Sequence, residues 1–331
     1  MIDKLENIGF YTLSEDRVKN SSITSRLMRC EILLTKKCNF NCPYCRQVGP
    51  KNDVSLEEIK SIIDLCARDK LFAIRFSGGE PTLYPYLIQA VWYAKANGIE
   101  KIAISTNGSA DIYHYYDLIE AGVNDFSISL DACCSQDHDK MSGTDNTYDT
   151  VTNNIKAISK KCYTTVGVVV NEDNLYQIND IVTNASSLGV NDIRIIPSAQ
   201  FNQILSNAQF IDYDIQLKHP ILNYRINSIH SNKPVRGLDD ECSRRCYMVL
   251  DDLAINDNEH YPCIIYMREG GKPIGKMGPD FRKERSEWTN KHNCRSDPIC
   301  SKNCLDVCRE YNNKRRQIEV AKNRPPPEMT W

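Results

Sequence analysis

Cys38-Asn39-Phe40-Asn41-Cys42-Pro43-Tyr44-Cys45 places three thiols in one short loop, spaced C-x3-C-x2-C. The apolar run 30–34 precedes it and predicts a strand, so the loop follows the carboxyl end of that strand, where barrel enzymes keep their chemistry. A cubane iron–sulfur cluster takes four ligands, and three cysteines leave one of its irons without a protein ligand. The spacing therefore predicts a [4Fe–4S] cluster whose open iron binds a small molecule through an amine and a carboxylate.

Polar motifs recur where the next strand-like segments end. Ser77-Gly78-Gly79-Glu80 follows the apolar run 71–76. Ile104-Ser105-Thr106-Asn107-Gly108 ends the next run, and Phe126-Ser127-Ile128-Ser129-Leu130-Asp131 ends the one after it. A glycine pair or an Asn-Gly pair alone is an ordinary turn signal. Their occurrence in series at strand ends predicts that they share one pocket.

This ordered set, over residues 28–200, resembles the radical S-adenosylmethionine (SAM) superfamily. The segment His138-Asp139-Lys140-Met141-Ser142-Gly143 resembles a family segment that often reads His-Asp-x-x-Arg-Gly, with Ser142 in place of the arginine. The resemblance implies that the three loop cysteines hold the catalytic cluster and that Tyr44 packs on a ring of the ligand. The residues it implies for holding SAM are Gly78, Gly79, Glu80, Ser105, Asn107, Ser129, Asp131 and Asn171.

The resemblance also implies the chemistry. The reduced cluster would donate one electron to SAM, which would break into methionine and a 5′-deoxyadenosyl radical. An electron donor such as flavodoxin or ferredoxin would supply the electron. Arg194, at the end of the sixth strand-like segment, would meet a carboxylate or phosphate; the alternative is a surface arginine on an edge strand. Zinc on Cys38, Cys42 and Cys45 is the alternative to iron, but it gives no reason for the series of strand-end motifs.

Composition indicates the cellular compartment of the protein and excludes some classes of binding partner. The 331 residues carry a formal net charge of −2, which predicts no general attraction to nucleic acid or to a membrane surface. The apolar runs are too short to span a membrane, and the N-terminal residues show no signal-peptide pattern. Fifteen cysteines, an odd number, favour metal clusters over a disulfide framework. We therefore expect a cytoplasmic, oxygen-sensitive protein.

Strand-like and helical segments alternate from residue 29 to about 200, as βα units do. One helix is predicted to begin at Ser55, because Glu58 three residues later completes a capping box. Six units make an α/β fold, a partial (β/α)6 TIM-like barrel, with a small cysteine-rich C-terminal domain. The predicted strands are 29–35, 71–76, 101–105, 125–130, 164–170 and 192–197.

The predicted domain boundaries follow changes in composition. Residues 201–235 are expected to form a helix plus a linker, with Pro220 and Pro234 as breakers, and the proline-rich end is expected to be an extended tail. The segments are 1–28 for an N-terminal segment, 29–215 for the barrel, 216–240 for the linker, 241–312 for the cysteine-rich domain and 313–331 for a basic stretch and tail.

A second group of cysteines lies in the C-terminal third of the chain. The segment from Cys246 to Cys263 resembles the SPASM/Twitch extension of radical SAM enzymes, with Asn258 where a glycine is usual. In the family's downstream run of four cysteines, Lys291 stands at the first position, with His292 beside it. The seven cysteines of this group are Cys242, Cys246, Cys263, Cys294, Cys300, Cys304 and Cys308.

Carried over by position, the resemblance implies one or two auxiliary [4Fe–4S] clusters. A complete one would use Cys242, Cys246, Cys263 and Cys304. Cys294, Cys300 and Cys308 would leave a second site one ligand short, holding a cluster with an open iron, a cluster completed by His292, or no cluster. The alternative is one zinc ion on Cys294, Cys300, Cys304 and Cys308, because zinc accepts the same spacing.

Three function classes stay open. The first is a radical SAM enzyme, a lyase or oxidoreductase, on a small-molecule substrate. Only 37 residues precede Cys38, too few for a module that grips a leader peptide, which favours this class. Activity on GTP itself is not expected, because the GTP-rearranging family member ends in Gly-Gly and this chain in Met-Thr-Trp. The second class is a SPASM-type maturase of a ribosomal peptide, and the third is a non-enzymatic zinc or iron–sulfur binding protein.

Within the first class, the charges of the second half of the chain favour a nucleotide-like or phosphorylated metabolite. Guanidinium groups bind phosphate oxygens through paired hydrogen bonds, and several arginines crowd this region. They are Arg236, Arg244, Arg245 and Arg268.

Overall fold

The computed structural model describes residues 5–199, 211–231 and 233–322. Six parallel strands pair in the order β6-β5-β4-β3-β2-β1. Among the described strands β6 pairs with β5 alone, so the barrel is open on this side. The predicted α/β partial barrel is thereby confirmed. Its strands are β1 Arg29–Thr35, β2 Ala73–Gly78, β3 Lys101–Thr106, β4 Asp125–Ser129, β5 Tyr163–Val170 and β6 Asp192–Pro197.

Helices cover the outer face of these strands. The capping box predicted at Ser55 is present, since Ser55 Oγ accepts a hydrogen bond from Glu58 N at 3.2 Å. The apolar residues of that helix then fall on one buried face, which belongs to the same core cluster as Cys30 and Ile32 of β1. The helices are α1 Glu15–Asn20, α2 Leu56–Arg68, α3 Leu87–Ala96, α4 Ile112–Ala121, α5 Ser135–Ser142, α6 Tyr148–Ser159 and α7 Ile178–Ser187.

The first part of the predicted linker, 216–240, is helical, in line with the expectation of a helix plus a linker in this region. It contains α9 Pro220–His230, which follows the short helix α8 Tyr213–Lys218 and packs on β6. The Asp192 carboxylate accepts hydrogen bonds from Ile221 N at 3.0 Å and so satisfies the first turn of α9. Pro220 separates the two helices as expected, since His219 before it is extended and α8 ends at Lys218. Pro220 itself occupies the first turn of α9, where a missing N–H costs nothing.

The cysteine-rich region extends the barrel sheet. Strand β7 Asp252–Asn256 pairs in parallel with β1, and the hairpin strands β8 Glu259–Tyr261 and β9 Gly275–Lys276 continue the sheet to nine strands within the described residues. The sheet edge beside β1 is therefore occupied by the C-terminal part of the chain. The remaining helices are α10 Ile264–Arg268, α11 Phe281–Lys291, α12 Pro298–Asn303 and α13 Asp306–Lys322.

The basic C-terminal stretch is part of α13, and this helix packs against the N-terminal segment. The buried guanidinium of Arg17 pairs with Asp251 at 2.6 Å and lies over the Tyr311 ring. A second buried ion pair joins Arg225 of α9 to Asp306 at 2.5 Å. The predicted segments 1–28 and 313–331 also contact each other, since Lys314 pairs with Glu15 at 2.6 Å and Arg315 donates to Ser21 O at 3.3 Å.

The predicted proline-rich tail lies outside the described residues. No helix in the described part of the chain is both long enough and apolar enough to cross a lipid bilayer.

Candidate active site

The three-cysteine loop leaves β1 and lies open at the carboxyl end of the barrel. Cys38 and Cys45 are exposed and Cys42 is half-buried. Two backbone N–H groups donate to its sulfurs, Phe40 N to Cys38 Sγ at 3.4 Å and Gln47 N to Cys45 Sγ at 3.3 Å. Hydrogen bonds of this kind stabilise sulfur that carries negative charge in an iron–sulfur site.

The glycine pair after β2 lets two backbone segments approach each other closely. Gly79 N donates to Thr35 O at 2.7 Å, and Glu80 N donates to Lys37 O at 2.8 Å. A Cβ on Gly79 would lie 2.2 Å from Lys37 O, and one on Gly78 would lie 2.4 Å from Thr35 O. Any larger residue would displace the base of the cysteine loop.

The segment His138–Gly143 supports the loop from the other side. Asn41 N donates to Ser142 O at 2.9 Å, and a Cβ on Gly143 would lie 2.3 Å from Asn41 O. Gly143 also has a φ of +63°, a conformation that glycine adopts without strain. Ser142, which replaces the family's arginine, bonds to the backbone of Thr144 and carries no charge.

The buried Glu80 carboxylate has protein partners for both oxygens. Oε1 accepts from Thr106 Oγ1 at 2.6 Å and Thr82 Oγ1 at 2.7 Å, and Oε2 accepts from Asn107 N at 2.7 Å. Burial raises the pKa of Glu80 above its ordinary value, and these hydrogen bonds oppose the increase. Glu80 thus joins the ends of β2 and β3, while its predicted contact with SAM stays a prediction.

Tyr44 and Asp131 link the cysteine loop to β4 and β5. The Tyr44 hydroxyl donates to Asp131 Oδ2, and Asp131 Oδ1 accepts from Val169 N at 2.6 Å. Burial raises the pKa of Asp131 to about 6, although both hydrogen bonds favour the carboxylate. The pair fixes Tyr44 beside Cys42, so the loop is tied to the sheet by a side chain as well as by backbone.

The other predicted SAM-binding residues are at strand ends, and all but one face the same cavity. Ser105 and Ser129 line it, as does Asn107, whose Nδ2 donates to Asn39 Oδ1 at 2.8 Å. Asn171 does not line this cavity. It is buried in the turn after β5, where its Oδ1 accepts from Asp173 N at 3.0 Å.

A charged floor inside the barrel was not predicted. Arg75 pairs with Asp125 at 3.1 Å and donates to Ser105 Oγ at 2.9 Å, while Glu31 meets Arg268 at 3.4 Å. These residues line the cavity below the cysteine loop. The available clue was a charged residue at an inward position of an otherwise apolar strand, as in Ala73-Ile74-Arg75-Phe76.

Arg194 lies on this floor and differs from its neighbours. Its guanidinium contacts Ser127 Oγ at 3.4 Å and forms no salt bridge with any described residue. Burial, followed by repulsion from Arg75, lowers the pKa of Arg194 to about 10. The sequence left open whether this side chain is a surface arginine, and the structure places it inside the cavity.

The C-terminal cysteines form the opposite wall of one cavity of about 520 Å³. The thiols of Cys246, Cys294 and Cys300 contact one another in series, whereas Cys242 pairs with Asp239 at 3.1 Å. All seven line the cavity together with the cysteine loop: Cys242, Cys246, Cys263, Cys294, Cys300, Cys304 and Cys308.

Comparison with known proteins agrees with this geometry. A family model described as the radical SAM superfamily matches residues 32–183. This domain belongs to the radical SAM superfamily. The radical SAM domain therefore contains the cysteine loop and the strand-end motifs, while the cysteine-rich C-terminal region is consistent with an auxiliary-cluster domain.

Curated relatives match about half of the chain. A protein of Saccharolobus solfataricus named "Probable GTP 3′,8-cyclase" is 31% identical over 172 residues, which are 50% of this chain and 55% of that protein. A protein of Sulfurisphaera tokodaii with the same name is 29% identical over 170 residues, covering 50% and 54%. This chain thus spans about half the length of the curated relatives it matches.

Solved structures match more of the chain at lower identity. Native anSMEcpe with bound AdoMet has a TM-score of 0.58 at 14% identity, covering 89% of this chain and 97% of that one. Streptococcus suis SuiB bound to S-adenosylmethionine has a TM-score of 0.58 at 16% identity, covering 83% and 67%. At these identities the likeness shows the fold, and it extends through the C-terminal region.

Membership implies a [4Fe–4S] cluster and SAM, and the residues present fit both. The cysteine loop offers three thiols, and burial raises the pKa of Cys42 to about 12. The raised pKa means that burying the thiolate charge is unfavourable, and a bound metal cation would offset this free-energy cost. Hydroxyl, amide and carboxylate groups line the cavity next to the loop, as a ligand with amine, carboxylate and ribose groups requires. The C-terminal thiols are likewise a donor set for auxiliary iron–sulfur clusters.

Proposed function

We propose that this protein is a radical SAM enzyme that acts on a small anionic metabolite. The substrate would bind between the cysteine loop and the wall of C-terminal cysteines, within the cavity that both line. The observation that carries the proposal is a pair of arginines in that cavity, Arg194 and Arg236, which form no salt bridge with described residues.

The two arginines lie near the end of β6. Arg236 donates through Nε to Pro197 O at 3.1 Å and through Nη1 to Asn303 O at 3.3 Å, so its described partners are neutral carbonyls. Burial lowers the pKa of Arg236 below its ordinary value, as it does for Arg194.

Carboxylates act on both side chains only from a distance, Glu31 and Asp125 on Arg194 and Glu269 on Arg236. Two partly desolvated cations without a direct ion pair are stabilised when a ligand supplies negative charge in contact with them. Guanidinium groups suit a carboxylate or a phosphate.

Relatives and charge favour a nucleotide-like substrate within this class. The curated relatives carry a name that specifies GTP, and their similarity covers the radical SAM domain. Arg245 and Arg268 also line the cavity, each with a long ion pair to a glutamate, whereas Arg244 does not line it. A purine or pyrimidine phosphate would bind in the part of this cavity that the arginines line, next to the predicted SAM-binding residues.

The chemistry would begin with SAM. When bound, the cluster and SAM supply a 5′-deoxyadenosyl radical, which abstracts hydrogen from the substrate. Tyr44 and Asp131 hold the cysteine loop in register with the sheet, and the arginines orient the substrate by its anionic group. Elimination, rearrangement and oxidation are all reactions that such a substrate radical undergoes.

The test is ligand protection combined with SAM cleavage. Thermal unfolding of the reconstituted enzyme is measured with nucleoside mono-, di- and triphosphates, using Arg194→Gln, Arg236→Gln and, as a control, the exposed Arg68→Gln. A phosphate ligand at one hundred times its Kd should raise the free energy of unfolding of wild type and the control by about 2.7 kcal/mol. It should raise the unfolding free energy of the two cavity variants far less. Basal formation of 5′-deoxyadenosine should persist in all four proteins.

Two results would contradict the proposal. In the first, no organic phosphate or carboxylate protects wild type. In the second, the ligand protects Arg194→Gln as well as it protects wild type, which would mean that the anionic group does not bind at Arg194. Stimulation of SAM cleavage by a peptide alone would favour the maturase instead.

A further inference from the structure

Three metal-binding side chains converge beside the wall of C-terminal cysteines. The ligand atoms of His292, Cys294 and Cys300 all lie within 4.8 Å of one another, and Cys300 Sγ is 4.0 Å from His292 Nε2. In the described parts of the chain only one other group of three such residues is this tight, and it lies at the start of α5. The family pattern provides no ligand at position 292.

The spacing fits a single tetrahedral ion. Zinc–sulfur and zinc–nitrogen bonds of about 2.3 and 2.0 Å at tetrahedral angles place the ligand atoms about 3.5 to 3.8 Å apart. In a cubane each thiolate binds a different iron, so the sulfurs stand farther apart. Cys38, Cys42 and Cys45, which form the cluster motif of the radical SAM domain, are not such a compact group. The structure therefore contains thiols at two different spacings.

Local structure holds the histidine and Cys300 in place. The His292 ring stacks on Trp288 with centroids 4.0 Å apart and planes 17° apart, and it meets Tyr266 edge-on. Asp297 Oδ1 caps α12 by accepting from Cys300 N at 2.8 Å. Asp297 Oδ2 lies 3.5 Å from His292 Nε2, the ring nitrogen that also faces Cys300.

Cys246 is the neighbouring thiol, in contact with Cys294 but outside the group whose ligand atoms all lie within 4.8 Å of one another, so it would have to move closer to serve as a fourth ligand. Its thiol contacts that of Cys294, and Asn312 Nδ2 donates to Cys246 Sγ at 3.6 Å. The backbone near these residues is also joined, since Cys294 N donates to Arg244 O at 2.8 Å. Two distant segments, before β7 and after α11, thus bring the thiols of Cys246 and Cys294 into contact.

We propose that His292, Cys294 and Cys300, with Cys246 as the fourth ligand, bind one zinc ion in a tetrahedral Cys3His site. The ion cross-links the end of α11, the start of α12 and the segment before β7, and so stabilises the cysteine wall of the cavity. The thiols left for an auxiliary iron–sulfur cluster are Cys242, Cys263, Cys304 and Cys308. This site goes beyond the proposed function and does not depend on it.

The experiment measures zinc and iron separately in the reconstituted protein. Metal content and zinc retention against a chromophoric chelator are compared for wild type, His292→Ala and Cys300→Ser. The controls are His230→Ala, at the exposed end of α9, and Cys162→Ser, just before β5. Wild type and controls should hold one zinc per chain, and the two site variants should retain zinc more than tenfold less tightly, with unchanged iron.

Zinc-edge X-ray absorption of wild type provides a test without a variant. The account expects three sulfurs at about 2.3 Å and one nitrogen at about 2.0 Å. Zinc absent from wild type, or bound by sulfur alone, would overturn the site. The site would also be overturned if Cys300→Ser lost about four irons and, in electron paramagnetic resonance (EPR), lost one set of cluster signals. That result would assign Cys300 to a second cubane.

Discussion

Replacing Gly143 by alanine should disconnect the cysteine loop from its support. Gly143 ends α5 with a φ of +63°, and a Cβ there would lie 2.3 Å from Asn41 O, far inside van der Waals contact. Asn41 adjoins Cys42, so relief of the overlap must move a cluster ligand or the end of α5. The substitution therefore tests whether backbone packing, rather than the thiols alone, builds the cluster site.

The magnitude has two parts, and a second glycine separates them. A left-handed conformation costs an alanine about 1–2 kcal/mol, and overpacking against backbone adds about 1–3 kcal/mol. Gly189→Ala has only the first cost, because Gly189 has a φ of +81° with no atom within 4 Å of the added Cβ. We expect Gly143→Ala to lose about 2–5 kcal/mol of unfolding free energy and Gly189→Ala about 1–2 kcal/mol.

The assay combines urea unfolding with iron content after anaerobic reconstitution. Gly189→Ala should bind as much iron as wild type, whereas Gly143→Ala should lose the cluster of the cysteine loop, about four irons. Should the loop simply shift, the stability loss would be small and the iron loss would remain. Equal iron content and equal SAM cleavage in both variants would refute the reasoning, because the loop would then tolerate displacement at Asn41.

Three further predictions concern the scaffold. Ser55→Ala removes the side-chain cap of α2 and should cost about 1 kcal/mol in urea unfolding; a change below about 0.3 kcal/mol would contradict the cap. Arg225→Met leaves the Asp306 carboxylate buried without its partner and should lower the free energy of unfolding by about 3–5 kcal/mol. The double variant Arg225→Met/Asp306→Asn should recover part of this loss, and no recovery would refute the pairing. Asp192 has a pKa raised to about 6 by burial, so the folded state binds the extra proton and stability should fall as pH rises from about 4 to 6. The stability difference between wild type and Asp192→Asn should change by about 2 kcal/mol across that window, and a pH-independent difference would contradict it.

Local pattern predicted the strands of the barrel and the cysteine loop. The six predicted strands match the observed ones to within two residues, because buried parallel strands are short apolar runs between turns. The spacing of Cys38, Cys42 and Cys45 needs no tertiary information, since one loop supplies all three thiols. The strand-end motifs also meet as expected, because parallel strands end at one edge of the sheet.

The features that local pattern did not predict depend on contacts between distant residues. Strand β7 pairs with β1, which lies more than 200 residues earlier in the chain, and the sequence of β7 does not predict which strand it pairs with. The charged floor is formed by ion pairs such as Arg75 with Asp125, and the inward orientation of these side chains depends on the register of the strands. Glu80 was expected to contact SAM, but its hydrogen bonds to the next strand end depend on the fold around it.

The auxiliary cysteines show the same limit. Sequence position grouped Cys242 with Cys246, but the structure places Cys242 beside Asp239 and Cys246 against Cys294. Their assignment to particular clusters stays a prediction. It depends on side-chain separations that spacing along the chain does not determine.

EPR of the reduced, reconstituted protein with and without SAM tests the central claim most directly. The account predicts a cluster signal whose g-values change when SAM is added, because SAM binds the iron that has no cysteine ligand. This signal should be absent from Cys38→Ala/Cys42→Ala/Cys45→Ala, while signals from the C-terminal cysteines remain. A wild-type spectrum that SAM leaves unchanged, or a SAM-sensitive signal that survives in the triple variant, would contradict the assignment of the radical chemistry to this loop.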